Sequence, residues 1–212
     1  MKSFDAEIKQ TRQSARHTGP VLMLGAALMF TVMSCLVKLM PEKYTVWHIG
    51  FIRCFGGLIV LAGVPRLIRP LANPFSGHNI PLLIFRGCTG SLAFFFVVSC
   101  IRILPISTAT VLFYAYPVFA AIFGFMIYRE TINKWQTGCI GFLVAGIAIL
   151  FDLDLSGSAL GQAMALAGAF FAGLTVTLIR SLREKNGVAV IYLYFWTMGS
   201  LFTLPEFLAA PI

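Results

Sequence analysis

Two arginines stand inside stretches that otherwise read as hydrocarbon. Arg86 lies seven residues into the apolar run that begins near Asn79, and Arg53 sits at a similar depth in the run that begins near Val46. At 1.5 Å of rise per helical residue, each would be roughly 10 Å deep. A guanidinium keeps its charge, and holding one at the centre of a bilayer costs about 2.5–3.5 kcal/mol on insertion scales. The cost is tolerable where the side chain reaches headgroups, a carbonyl, water in a cavity or an anion. The chemistry on offer is a fixed cation for a carboxylate or phosphate on a bound solute. The plainer alternative is an anchor that snorkels to the nearest interface.

Pro117 lies in the interior of a third such run and is flanked by Tyr114 and Tyr116. A proline there removes one backbone hydrogen bond, frees the carbonyl of Phe113 and bends the helix. Arg86, Arg53, Tyr114 and Pro117 are therefore the candidate substrate-binding residues, with packing as the alternative role for the proline and tyrosine. Glu130 follows Arg129 at the end of the same run. It is either a solvated ion-pair partner worth under about 1 kcal/mol or a latch that ties this helix end to a neighbouring one.

No catalytic constellation accompanies these residues. His17, His48 and His78 are scattered, and there is no H-E-x-x-H, phosphate loop or nucleophile elbow. The five cysteines, Cys35, Cys54, Cys88, Cys100 and Cys139, all fall in apolar runs without metal-type spacing. The reading is a non-enzymatic protein with no metal, no cofactor and no disulfide framework. Every carboxylate lies at or beyond a segment end, which counts against a simple cation/proton exchanger, since that chemistry needs an acid deep in the membrane.

The elements that position these residues follow from composition. Hydrophobic residues make up 58% of the 212 residues and charged ones 11%, under half of the roughly 25% charged in soluble domains. The absence of alternating polar and apolar residues excludes a β-barrel. The expectation is an all-α, polytopic helical membrane protein of about seven transmembrane helices. The crossings are expected near 20–39, 46–64, 79–101, 107–128, 135–151, 159–179 and 188–204, after a polar cytoplasmic tail over 1–18. Asn79 is a candidate helix cap with Pro81 in the first turn, and Pro20 suits a first turn as well.

A net charge of +8 would point to nucleic acid in a soluble protein; here the basic residues sit mostly in alternate joints, so no nucleic-acid partner is expected. With the N-terminus in the cytoplasm, the inner side collects the basic residues of the tail, Arg66, Arg69, Arg129, Lys134, Arg180, Arg183 and Lys185. The outer side collects Lys38, Lys43 and Arg102, with Asp152 and Asp154. That asymmetry fixes the orientation and points to the inner (plasma) membrane.

Residues 25–57 weakly resemble 167–199 at an offset of 142, which matches Ala27 to Ala169, Lys38 to Arg180 and Gly57 to Gly199. Five crossings separate the copies, so the second would be inverted, as in many secondary transporters. The pattern R-G in the third segment, L-P before the fourth, P-V-F within it, R-E-T-I at its end and G-x-x-G-F-L-x-A-G in the fifth resembles the EamA-type branch of the drug/metabolite transporter superfamily. The likeness is nearest to carriers of the S-adenosylmethionine-uptake kind.

The resemblance implies a ten-helix carrier built from two inverted five-helix repeats, with a central cavity and alternating access. It implies that Arg86, Pro117 and Glu130 occupy the family's helix-3 arginine, helix-4 proline and helix-4 glutamate. On that reading 19–152 is the first repeat and 159–212 the start of an incomplete second one, a carrier cut short. The implied function is secondary transport of small metabolites, amino-acid- or nucleotide-like solutes such as S-adenosylmethionine. The alternative is a non-transporting truncated membrane protein, or a helper subunit of a split carrier. Expected partners are a small-molecule substrate, the lipid bilayer, and a dimer mate or complementing fragment.

The orientation is directly testable. In a cysteine-free background, an impermeant thiol reagent added outside is expected to label Asp154→Cys and to spare Arg183→Cys; the reverse pattern refutes it.

Overall fold

The computed structural model describes residues 2–41, 43–63, 77–129, 133–153 and 158–209. Its elements are α1 (Lys2–Leu39), α2 (Val46–Gly63), α3 (Ile80–Ile103), α4 (Ile106–Phe113), α5 (Tyr116–Tyr128), α6 (Lys134–Leu153), α7 (Ala159–Arg183) and α8 (Val188–Ala209). All seven expected apolar segments are helices, the fourth being split into α4 and α5. Among the described residues, five segments are long and apolar enough to cross a bilayer: Pro20–Leu39, Ile80–Ile103, Ile106–Tyr128, Ala159–Arg183 and Val188–Ala209. Shorter apolar stretches run through α2 at Val46–Leu61 and α6 at Trp135–Ile149. The chain is an all-α, polytopic membrane protein. A helix suits such a segment because it satisfies its backbone polar groups internally, where no water can.

The chain divides into two units, 1–39 and 40–212. The first is α1, which runs without a break through Pro20; the proline lies inside the helix and not in its first turn. Thr31 and Ser34 donate their hydroxyls to the carbonyls of Ala27 and Phe30, at 3.0 and 2.9 Å. Those hydroxyls are satisfied within the helix itself.

The second unit is a bundle with α3 at its centre, packed chiefly against α7 and α8. α7 also packs on α5, and α2 on α8. Lipid tails are as apolar as leucine, so helices here gain most from close approach through small residues. Gly168 on α7 faces Phe96 and Val97 of α3, and Gly173 faces the backbone of α5 at Tyr116 and Ala120. Gly87 and Gly90 of α3 admit Met198 and Phe195 of α8. The aromatic contacts repeat this division of α7. Phe171 stacks on Phe96 of α3 at 5.8 Å, while Phe170 meets Phe119 and Phe123 of α5 at 5.7 and 5.1 Å. α7 therefore stands between α3 and α5.

The α2–α8 contact is reciprocal. Gly57 of α2 lies against the Trp196 ring of α8, and Gly199 of α8 lies against Cys54 of α2. Both the glycines and their partners are related by the offset of 142 residues.

Polar ties fix the two ends. Arg102, in the last turn of α3, donates to the carbonyls of Tyr44 at 2.7 Å and Pro41 at 3.4 Å. At the opposite end, Asn186 accepts from the His78 N–H at 2.7 Å and donates to the His78 and Leu182 carbonyls at 3.1 Å each. Asn79 does occupy the N-cap position of α3, with Pro81 in the first turn. It sits in the left-handed region, and its side chain makes no cap hydrogen bond. α8 continues through Pro205 to Ala209, so Glu206 lies in its last turn.

A methyl group on Gly173 would fall 2.8 Å from both the Ala120 nitrogen and the Tyr116 carbonyl oxygen. These are backbone atoms that cannot swing aside. Gly173→Ala is expected to destabilise the bundle by about 1–3 kcal/mol through overpacking. Gly141→Ala, with nothing within 4 Å of the added carbon, should be neutral or stabilising by up to about 1 kcal/mol. Thermal unfolding in detergent measures both.

Candidate functional site

Arg86 is carried by the second turn of α3, and only 4% of its surface is exposed. Its guanidinium carbon lies 5.0 Å from the Phe195 ring centroid and 5.7 Å from that of Tyr192, both on α8. The close α3–α8 approach at Gly87 and Gly90 brings those rings within range. Arg86 Nε and Nη1 are buried without a hydrogen-bond partner. The charge is thus met by aromatic faces, while donors that normally demand an acceptor go unused.

Nearby hydroxyls do not relieve this. Thr89 donates to the Arg86 carbonyl at 3.1 Å, Ser91 to the Gly87 carbonyl at 2.8 Å, and Thr175 of α7 to the Thr89 oxygen at 3.1 Å. Their oxygens keep lone pairs, but neither Nε nor Nη1 of Arg86 makes a hydrogen bond to them.

Arg53 on α2 places its guanidinium carbon 3.8 Å from the Phe94 ring centroid of α3. Unlike Arg86 it is exposed at the bundle surface. Neither arginine has a carboxylate partner among the described residues. The arrangement is two permanent cations laid on aromatic rings, one buried and one open. A guanidinium offers a planar fork of donors to an anionic group.

The other two candidates lie elsewhere. Tyr114 caps the end of α4 and is about half exposed, its ring 6.4 Å from that of Tyr116. Pro117 is in the first turn of α5, just after the break at Tyr114 and Ala115. It lines a cavity of about 720 Å³ among α5, α6 and α7, which includes neither Arg86 nor Arg53. The structure therefore groups Arg53 with Arg86 and Tyr114 with Pro117, with α7 between the buried arginine and the proline. Glu130 lies outside the described residues.

Phe94, Tyr192 and Phe195 belong to the arginine site and were not singled out from sequence. The run Tyr192-Leu-Tyr-Phe-Trp196 is an aromatic signal, but only a through-space contact ties it to an arginine about a hundred residues earlier.

The EamA-like transporter family matches residues 17–152, well over half of the chain. This chain belongs to the EamA-like transporter family. Across 90% of its length it is 26% identical to solute carrier family 35 member G1 of Homo sapiens, covering 57% of that protein. The pseudopaline exporter CntI of Pseudomonas aeruginosa is 25% identical over 89% of this chain and 66% of its own length. The mouse solute carrier family 35 member G1 is 25% identical over 85% of this chain and 51% of its own. This EamA-like chain thus spans between half and two thirds of the length of these relatives.

Proposed function

We propose that the chain is a secondary carrier of small metabolites that bear a carboxylate or phosphate, with Arg86 as the residue that holds that group. The observation that carries this reading is the burial of Arg86 with two donor nitrogens unsatisfied. A cation kept in that condition stabilises nothing by itself, but it is ready for an anion. Family membership supports transport, and two relatives carry the names of a solute carrier and an exporter. The substrate class is then amino-acid- or nucleotide-like solutes that carry a carboxylate or phosphate. S-adenosylmethionine is one such test solute.

The mechanism we infer is alternating access between inverted repeats in the inner membrane, with the N-terminus in the cytoplasm. The reciprocal packing of Gly57 on Trp196 and Gly199 on Cys54 supports that repeat reading. A two-fold axis in the membrane plane would generate that kind of exchange. Arg53, more open and on the opposite half of the bundle by helix direction, would meet the anion on its way to or from Arg86. Tyr114 and Pro117 supply the bend between α4 and α5, where one end of the path can open while the other stays shut.

The test is uptake and efflux of a labelled metabolite panel in vesicles containing the full chain. Arg86→Lys is expected to keep part of the transport with a raised KM, since it restores the charge without the fork. Arg86→Leu should lose nearly all of it at normal membrane levels. Wild-type transport by Arg86→Leu would refute the assignment and leave Arg86 as a packing residue. If the unaltered chain moves no solute in the panel at normal membrane levels, the carrier reading itself fails in favour of a helper subunit.

A further inference from the structure

The cavity among α5, α6 and α7 lies across α7 from Arg86, and its lining changes character along its length. At one end stand Arg129, Arg180 and Gln136; from there Ala121, Gly124 and Ile140 lead up to Pro117. The twelve residues from Arg129 to Pro117 span roughly 18 Å as helix, the scale of one bilayer leaflet. Polar groups cluster at the interfacial end, and the deep end is walled by small apolar side chains. That polarity gradient is the one a phospholipid has.

Local structure sharpens the charged end. α6 begins there, and Gln136 accepts the Asn133 N–H at 3.0 Å, so the positive end of the α6 dipole adds to the arginines. Arg129 ends α5 in the left-handed region, with φ 52°, where helix stops favour glycine. A glycine would be the relaxed choice, yet the position carries a guanidinium that lines the cavity.

We propose that this cavity is a binding site for an anionic phospholipid of the cytoplasmic leaflet. Its phosphate is held by Arg129, Arg180 and Gln136, and an acyl chain lies along Ala121 and Gly124 toward Pro117. Basic pockets between helices on the cytoplasmic side are suited to acidic headgroups. The tail occupies space that no helix among the described residues fills, beside the bend between α4 and α5. Bound lipid therefore couples the composition of the leaflet to that bend. The inference uses no part of the arginine site of α3.

Native mass spectrometry of the purified full chain tests it, with phosphatidylglycerol and phosphatidylcholine of matched chains as probes. The wild type is expected to retain phosphatidylglycerol preferentially. Arg129→Gln with Arg180→Gln should weaken that retention about thirtyfold, from roughly two lost headgroup contacts. The double lysine replacement should keep most of it and serves as the folding control. Ala121→Leu should displace the tail and lower retention with both arginines intact. Equal retention of the two lipids overturns the proposal, as does an unaltered preference in the double glutamine variant. Retention untouched by Ala121→Leu, or abolished by inorganic phosphate at matched concentration, overturns the lipid assignment in favour of a simple anion site. Arginines that only complement the dipole at the end of α7 would lower thermal stability on replacement and leave lipid selectivity unchanged.

Discussion

Close approach of helices through small side chains is the constraint on which this bundle depends. In lipid, an apolar helix face gains little by leaving the tails for another apolar face, so contact has to come from packing without gaps. Ala165 and Ala169, both fully buried, together with Gly168 and Gly173, let α7 approach two helices at once. Gly173 meets α5 at its backbone, while Gly168 meets α3. α7 can stand between them because each face carries small residues at its closest approach, with Phe171 and Phe170 packed beside them. That placement sets the separation between the buried arginine on one side and the bend at Pro117 on the other.

The same economy explains the condition of Arg86. The hydroxyls around it are short, and in a membrane helix they bond back to the carbonyl three or four residues earlier. Thr89 and Ser91 both do so. Long acceptors are not provided, and the rings of Phe195 and Tyr192 occupy the remaining directions. Ring faces soften the charge without using its directional donors. A leucine would fill such a position at lower cost.

Much of the fold was legible because a hydrocarbon span imposes a length. Segments near 20 apolar residues announce themselves, and apart from the start of α1 their ends fell close to those observed. Pro117 also announced a break. The helix gives way at Tyr114 and Ala115, before the proline, because the ring excludes the turn that precedes it. Other details depended on backbone conformation that residue type does not reveal. Asn79 looked like a side-chain cap and instead took up a left-handed backbone, with its carbonyl accepting from Leu82 and Leu83. Pro20 looked like a helix start and lies within α1. At the site, depth marked Arg86 and Arg53 from sequence. Their aromatic partners, and the division of the four candidates by α7, depend on contacts between distant segments, and no local pattern encodes those.

The α2–α8 contact shows why a weak repeat can still carry structural information. Two apolar helices share letters by chance, so the match of Gly57 to Gly199 means little alone. In the bundle those glycines occupy equivalent roles on opposite sides of one interface, and the residues they face, Trp196 and Cys54, are matched by the same offset. A large ring and a small thiol in equivalent places leave the interface unequal in bulk. Trp196 also approaches Tyr192, the phenol beside Arg86, with 5.4 Å between ring centroids. The departure from symmetry therefore falls next to the charged site. A sliding or rocking of α8 against α2 would move the aromatics beside Arg86, since Tyr192 and Phe195 both ride on α8.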